Sequence, residues 1–323
     1  MKASWRNLGL AALAVLVACD GLDDIDLGGG GGGTGGGAFS RGFVFVRNIS
    51  GGRNVYAVDD AGNANSPLQL TTQGGAYDPT VSRSGKLVAF VFRSGATQEI
   101  RTVPTTGQGQ PSTVFSSAST ACTGCGNFQA PTFSPNGQTI VFTLTRGGVS
   151  GLARVNADGS GFQFLTAKSS YVFGPASFYP DGQRVLAAGG QSSGFINFLI
   201  EVNVTSGAAT PIATSLGNTA QTIYSRVAVS PDGTKVAFDA LTSSGTRVFV
   251  GQLGQQLSNV TQVTNKAGAE DTYPSWRGNP ELGLLSSDGG NDNIYRISAS
   301  SVRGSGSLTL VVPSAMEPFY GGS

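Results

Sequence analysis

An internal repeat constrains this chain more than any other feature. Four segments align with one another: PTVSRSGKLVAF at 79–90, PTFSPNGQTIVF at 131–142, ASFYPDGQRVLA at 176–187 and VAVSPDGTKVAF at 227–238. A fifth, PSWRGNPELGLL at 274–285, keeps the frame but carries Asn279 where the others have a turn glycine. The turn positions Gly85, Gly137, Gly182, Gly233 and Asn279 are separated by 52, 45, 51 and 46 residues. Units of roughly 40–50 residues, each holding several strands, are the sequence signature of a β-propeller. Residues 39–320 have room for six.

Each unit reads as four strands. The first is a short apolar segment such as Pro131–Phe133, followed by a Ser-Pro-Asn/Asp-Gly hairpin in which Pro fixes φ and Gly accepts positive φ. The second is Ile140–Phe142 or its equivalent, and the third alternates. Six third strands can be picked out, around Val55, Ile100, Leu152, Leu199, Val248 and Ile294. A fourth short strand ends in threonine, as in Leu68–Thr71, Phe162–Thr166 and Val260–Thr264. Charged residues make up only 12% of the chain and glycine reaches 49 residues, a balance that favours strands and turns over helices. The expected fold is all-β, a six-bladed propeller of four-stranded blades.

The first unit begins at its second strand, Phe43–Val46, with nothing upstream to serve as its innermost strand. Glu317–Gly322 looks like the start of a seventh unit that stops at once. The C-terminal strand is therefore expected to complete the first blade and close the ring, which removes the open sheet edges.

The P-x-[F/W]-S-P-[D/N]-G turn, the "VAF" strand, the "IY" strand and the terminal "LT" together resemble the WD40-like Tol-Pal repeat (PD40) of TolB-related periplasmic proteins. The resemblance covers residues 39–320, with the best copies around Pro131 and Pro231, and extends to Asp288–Ile297. It departs at the turns Arg83-Ser84 and Gly278-Asn279-Pro280, and the separate N-terminal α/β domain of TolB has no counterpart here. The resemblance implies a protein-binding or scaffold role at the cell envelope.

The N-terminus carries its own address. Lys2 and Arg6 precede an apolar run, Leu8–Ala18, that is too short to span a bilayer comfortably and suits a secretory signal. It ends in Leu16-Val17-Ala18-Cys19, which resembles the bacterial lipobox, so residues 1–18 are expected to be a lipoprotein signal peptide and Cys19 the lipidated first residue. An uncleaved membrane anchor and a cleaved signal with an unmodified Cys19 are the competing readings. Residues 19–38 then form a tether, four aspartates among aliphatics followed by nine glycines interrupted only by Thr34. As a glycine-rich coil it would span about 25 Å. Residues 39–323 are the propeller. The expected location is the periplasmic side of the envelope, on the inner or the outer membrane.

Charge and chemistry narrow the function. Twenty Lys and Arg face 19 Asp and Glu, and removal of residues 1–18 with Lys2 and Arg6 leaves 18 − 19 = −1, so no net charge draws nucleic acid to the body. There is no histidine, which removes the usual general base, the His-dependent nucleophile arrangements and every His-ligated metal site. Gly190-Gln191-Ser192-Ser193-Gly194 fits G-x-S-x-G formally but lacks a histidine partner and a strand-to-helix turn. Asp288–Asp292 is rich in oxygen ligands, yet it lacks the spacing and closing glutamate of a calcium loop and reads as a hairpin turn. Cys122 and Cys125, a C-x-x-C pair without a second pair, read as a local disulfide in an oxidising compartment. No catalytic residue, metal or cofactor beyond the lipid on Cys19 is expected.

One recurrence remains. An aromatic stands before each inner strand: Tyr77, Phe128, Phe173, Tyr224 and Tyr273, with Phe319 near the closure. In related propellers this connection opens on one mouth of the central channel, where Asp78, Arg226 and Glu317 would also lie. The rings either pack between blades or form a rim that binds a partner. The expectation is a monomeric binder of an envelope protein, with a carbohydrate or small-ligand sensor as the alternative and a propeller lyase or peptidase-associated module as a third class.

Overall fold

The computed structural model describes residues 39–49, 52–167, 169–191, 196–213, 216, 222–288, 290–304 and 306–322. The expectations for Cys19, the signal and the tether, and most of the G-x-S-x-G stretch, lie outside them. Among the described residues the chain builds six four-stranded antiparallel sheets. β1 (Arg41–Ile49), β2 (Gly52–Asp59) and β3 (Leu68–Gln69) belong to blade 1. Blade 2 is β4 (Ala76–Val81), β5 (Leu87–Ser94), β6 (Thr97–Pro104) and β7 (Ser112–Ser116). Blade 3 is β8 (Cys125–Phe133), β9 (Thr139–Arg146), β10 (Val149–Asn156) and β11 (Gln163–Phe164). Blade 4 is β12 (Val172–Phe178), β13 (Arg184–Gly190), β14 (Phe198–Asn203) and β15 (Ala209–Ala213). Blade 5 is β16 (Ile223–Val229), β17 (Lys235–Thr242), β18 (Gly245–Gln252) and β19 (Ser258–Gln262). Blade 6 is β20 (Ala269–Arg277), β21 (Glu281–Asp288), β22 (Asn291–Ser298) and β23 (Thr309–Val312). β24 (Met316–Gly322) pairs with β1 and supplies the innermost strand of blade 1, as the sequence predicts.

The repeat residues have individual jobs. In the blade 5 turn, Gly233 takes φ +75°, Asp232 Oδ1 accepts from the Thr234 amide at 2.9 Å, and Ser230 Oγ accepts from the Lys235 amide at 2.9 Å. Ser, Asp and Gly of the motif thus satisfy the hairpin with three local devices. The terminal threonines also pay their way by bonding: Thr71, Thr166 and Thr264 are buried, and each hydroxyl accepts from a third-strand amide, of Val55, Leu152 and Val248 respectively.

Two local expectations are corrected. The blade 6 turn does not replace Gly with Asn279; it is one residue shorter, Arg277 pairs with Glu281, and Gly278 carries the positive φ of +64°. The inner strands are also longer than the Pro-x-Phe core suggests, because β8 begins at Cys125 and continues through a bulge. Every inner strand is interrupted by such a register shift. Pro79, Pro131, Pro274 and Pro318 fall at these breaks, where a residue without an N–H costs no ladder bond.

The core lies between blades. Phe115 of blade 2 meets Phe128 and Phe142 of blade 3, with ring centres 5.8 and 5.9 Å away. At the closure, Phe43 and Tyr320 meet edge to face at 5.0 Å. Such pairs add about 0.5–1.5 kcal/mol each beyond the area they bury. A disulfide joins Cys122 and Cys125, Cα atoms 5.6 Å apart, in the connection before β8.

Candidate functional site

The bulges of the inner strands aim two layers of side chains toward the axis. The first layer is the residue just before the repeat proline or its equivalent: Asp78, Ala130, Pro175, Arg226, Tyr273 and Glu317. Asp78, Ala130, Tyr273 and Glu317 adopt φ of 49°, 45°, 53° and 50°. A left-handed non-glycine residue before proline is disfavoured by roughly 1–3 kcal/mol, so the ring holds these four against local preference.

This layer is a polar network across the axis. The Asp78 amide donates to Glu317 Oε2 at 2.7 Å, the Ala130 amide donates to Asp78 Oδ2 at 3.1 Å, and the Tyr273 hydroxyl reaches Asp78 Oδ1 at 3.4 Å. Arg53 of β2 pairs with Glu317. The Tyr77 ring lies between two guanidiniums, those of Arg53 at 4.2 Å and Arg93 at 4.3 Å. Arg226 rests on the rings of Tyr273 and Phe319 at 5.4 and 5.1 Å. Burial, and then the charge of Asp78, pushes the Glu317 carboxyl up, with Arg53 opposing. Burial likewise lifts the Tyr273 hydroxyl well above its ordinary value, helped by Asp78 and Glu317. Beneath Arg226, Asp239 is fully buried and accepts from the amides of Ser225 and Arg226 and from the Ser225 hydroxyl; burial raises its pKa against those bonds.

The second layer, two residues further along each strand, is Thr80, Thr132, Ser177, Ala228, Ser275 and Phe319. All six line a cavity of about 420 Å³ that opens among the first hairpins of the blades. Phe133, Phe178, Trp276 and Tyr320 add aromatic wall, and Arg41 and Arg83 are the charged lining residues. The Trp276 indole N–H is held by the Ala228 carbonyl at 2.8 Å, and the Tyr320 hydroxyl lies against Asp60, an environment that pushes its pKa up to about 12 mainly through burial. Among the described residues no group of three or more His, Cys, Asp or Glu could hold a metal ion.

The expected rim is therefore redistributed. Asp78, Arg226, Tyr273 and Glu317 do come together, but inside the channel as a plug and not on its lip. Phe128 and Phe173 are fully buried between blades and are corrected to core residues. Tyr77 belongs to the arginine sandwich, and the Tyr224 side chain lies outside the described residues. The aromatics do not occupy one repeat position: Tyr77 and Tyr273 sit one and two places later than Phe128 within their units. The cavity itself was missed. Its signal was the residue pair after each repeat proline, which reads as strand core in sequence but lines the axis where the strands splay.

No family model matches the chain, and no curated protein matches it. Solved structures do. TolB from Acinetobacter baumannii is 18% identical, with a TM-score of 0.66 over 88% of this chain and 67% of that one. A TolB-like protein from Agrobacterium tumefaciens is 15% identical, with a TM-score of 0.58 over 89% and 92%. A chain of a nidogen/laminin complex is 10% identical, with a TM-score of 0.63 over 87% and 98%. At these identities the likeness is one of fold: a TolB-like six-bladed β-propeller.

Proposed function

We propose that this chain is a lipid-anchored cell-envelope protein whose propeller receives part of a protein partner in the axial cavity. The cavity is the observation that carries the reading: all six blades contribute to one aromatic and hydroxyl-lined bowl, with Arg41 and Arg83 as its charged lining residues. Concave, mostly apolar sites with a few convergent polar groups are where ligands settle. The fold it shares with TolB, and with a propeller solved as part of a nidogen/laminin complex, supports partner binding over catalysis. The lack of histidine supports the same side, and the lipobox-like Leu16–Cys19 supports the anchor.

Chemical crosslinking in native envelopes, followed by identification of captured proteins, tests this reading. Arg83→Glu and Arg41→Glu should each abolish capture while leaving the melting temperature within a few degrees, and Cys19→Ala should move the protein from the membrane to the soluble fraction. Capture that survives both arginine reversals would overturn the docking site. The same hydroxyl and aromatic wall would suit a carbohydrate or other small ligand, and ordered sugar density in the bowl would favour that second reading.

A further inference from the structure

We propose that the axial cavity takes an acidic peptide segment of the partner, with one apolar side chain in the bowl and carboxylates on Arg83 and Arg41 at the rim. This rests on the reading of the cavity as the docking site and names the chemistry of what docks there.

The rim is one position repeated around the ring. The third residue after each second-layer side chain is Arg83, Pro135, Pro180, Pro231, Gly278 and Gly322, in blades 2, 3, 4, 5, 6 and 1, and all six line the cavity. The three prolines belong to neighbouring blades and form an apolar arc above Phe133 and Phe178. The arc is backed from behind: a Cβ at Gly182 would lie 3.5 Å from Pro135 Cδ, and one at Gly233 3.1 Å from Pro180 Cδ. Gly278 and Gly322 leave the next two blades without a rim side chain. Arg83 is the charged member of the ring.

Arg41 joins it. Arg41 is the ladder partner of Gly322, and the carbonyl of the preceding Ser40 lies against Gly85, where any side chain would strike it. The hairpin that carries Arg83 therefore abuts the segment that carries Arg41. Among the described residues the lining holds these two guanidiniums and no Asp or Glu. Arg41 reaches Asp60 at 3.3 Å, yet its side chain stays 57% exposed. Arg83 is exposed and has neither a hydrogen bond nor an ion pair among the described residues. Planar guanidiniums left free at a rim suit carboxylates, which they can grip with two parallel bonds.

The wall below Arg83 is polar as well. Thr80 of the same blade lines the cavity, is 1% exposed, and keeps an Oγ1 without a hydrogen-bond partner. At the equivalent places Ser177 and Ser275 accept from the next blade's amides, of Val229 and Tyr320. The bowl thus has a polar, cationic side at blade 2 and an apolar side under the prolines, and an occupant with an apolar side chain next to acidic ones matches both.

The test titrates the full chain calorimetrically with three capped pentapeptides: acetyl-Gly-Phe-Gly-Asp-Asp-amide and its Asn-Asn and Lys-Lys counterparts. The acidic peptide should bind about fivefold tighter than the Asn-Asn peptide, the scale of a well-placed exposed ion pair, and the Lys-Lys peptide should be weakest. Arg83→Gln should shrink that advantage, leave the Asn-Asn peptide unchanged and keep the melting temperature. Alanine in place of the peptide's phenylalanine should weaken binding about tenfold, because the bowl is then left unfilled. An advantage of the acidic peptide that persists undiminished in Arg83→Gln, or binding indifferent to the loss of phenylalanine, would overturn the proposal, as would no binding of any peptide. Equal affinity for all three would remove the acidic preference and leave the docking site standing, whereas partner capture that survives both Arg83→Glu and Arg41→Glu would remove the docking site itself.

Discussion

The Asp78 amide donates to Glu317 Oε2 at 2.7 Å, tying the second blade to the strand that closes the ring. Glu317 is also the partner of Arg53 on β2, so one carboxylate fastens β24 to two neighbours. Glu317→Ala is expected to lower stability by about 1–3 kcal/mol, the cost of stranding a partly buried guanidinium and an amide. Glu317→Gln, which keeps an acceptor for the amide, should lose less. Urea unfolding measures both. Equal losses would show that the amide bond contributes nothing to closure.

Acid should relieve one buried cost. Asp239 is raised above its ordinary value by burial, so the folded state favours its protonated form. Its contribution is fully present below the unfolded carboxylate range, about pH 4, and is lost as pH rises through the folded pKa. Asp239→Asn removes this dependence. The variant should therefore gain stability relative to wild type between pH 4 and pH 7, read from urea midpoints at the two pH values. A constant difference would contradict the assignment.

The blade 6 turn offers a paired test. Gly278→Ala places a side chain at φ +64° and should cost about 1 kcal/mol, whereas Asn279→Gly should yield no gain, because Asn279 does not hold the positive φ. A stabilised Asn279→Gly would restore the turn as the sequence suggested it.

Phe128 separates core from surface. It is fully buried against Phe115 and Phe142, and Phe128→Ala should cost about 3–5 kcal/mol. A variant of unchanged melting temperature would return Phe128 to the rim.

These cases show what the sequence could and could not convey. Blade count, strand order and closure were legible because each depends on local signals: the Ser-Pro-Asp-Gly turn, the alternation of the third strand and the threonine that caps the fourth. The axial layers were not, because they depend on bulges. A single residue's offset moves a side chain to another face, so Tyr77, Phe128 and Tyr273, which stand two, three and one places before their repeat prolines, end in a cation sandwich, a core and a plug. The acidic and basic members of the plug were picked out together because Asp78, Arg226 and Glu317 share the position before the proline frame, but their depth came only from the fold.

The most direct test of the account places a photocrosslinking amino acid at one of two exposed sites in the full chain. Arg83 lies at the mouth of the axial cavity, and Val149 starts β10 at a hairpin of the opposite strand end. Irradiated in native envelopes, the probe at position 83 should yield a discrete protein adduct and the probe at position 149 none. An adduct from position 149 with none from position 83 would contradict the claim that the cavity is where this propeller holds its partner.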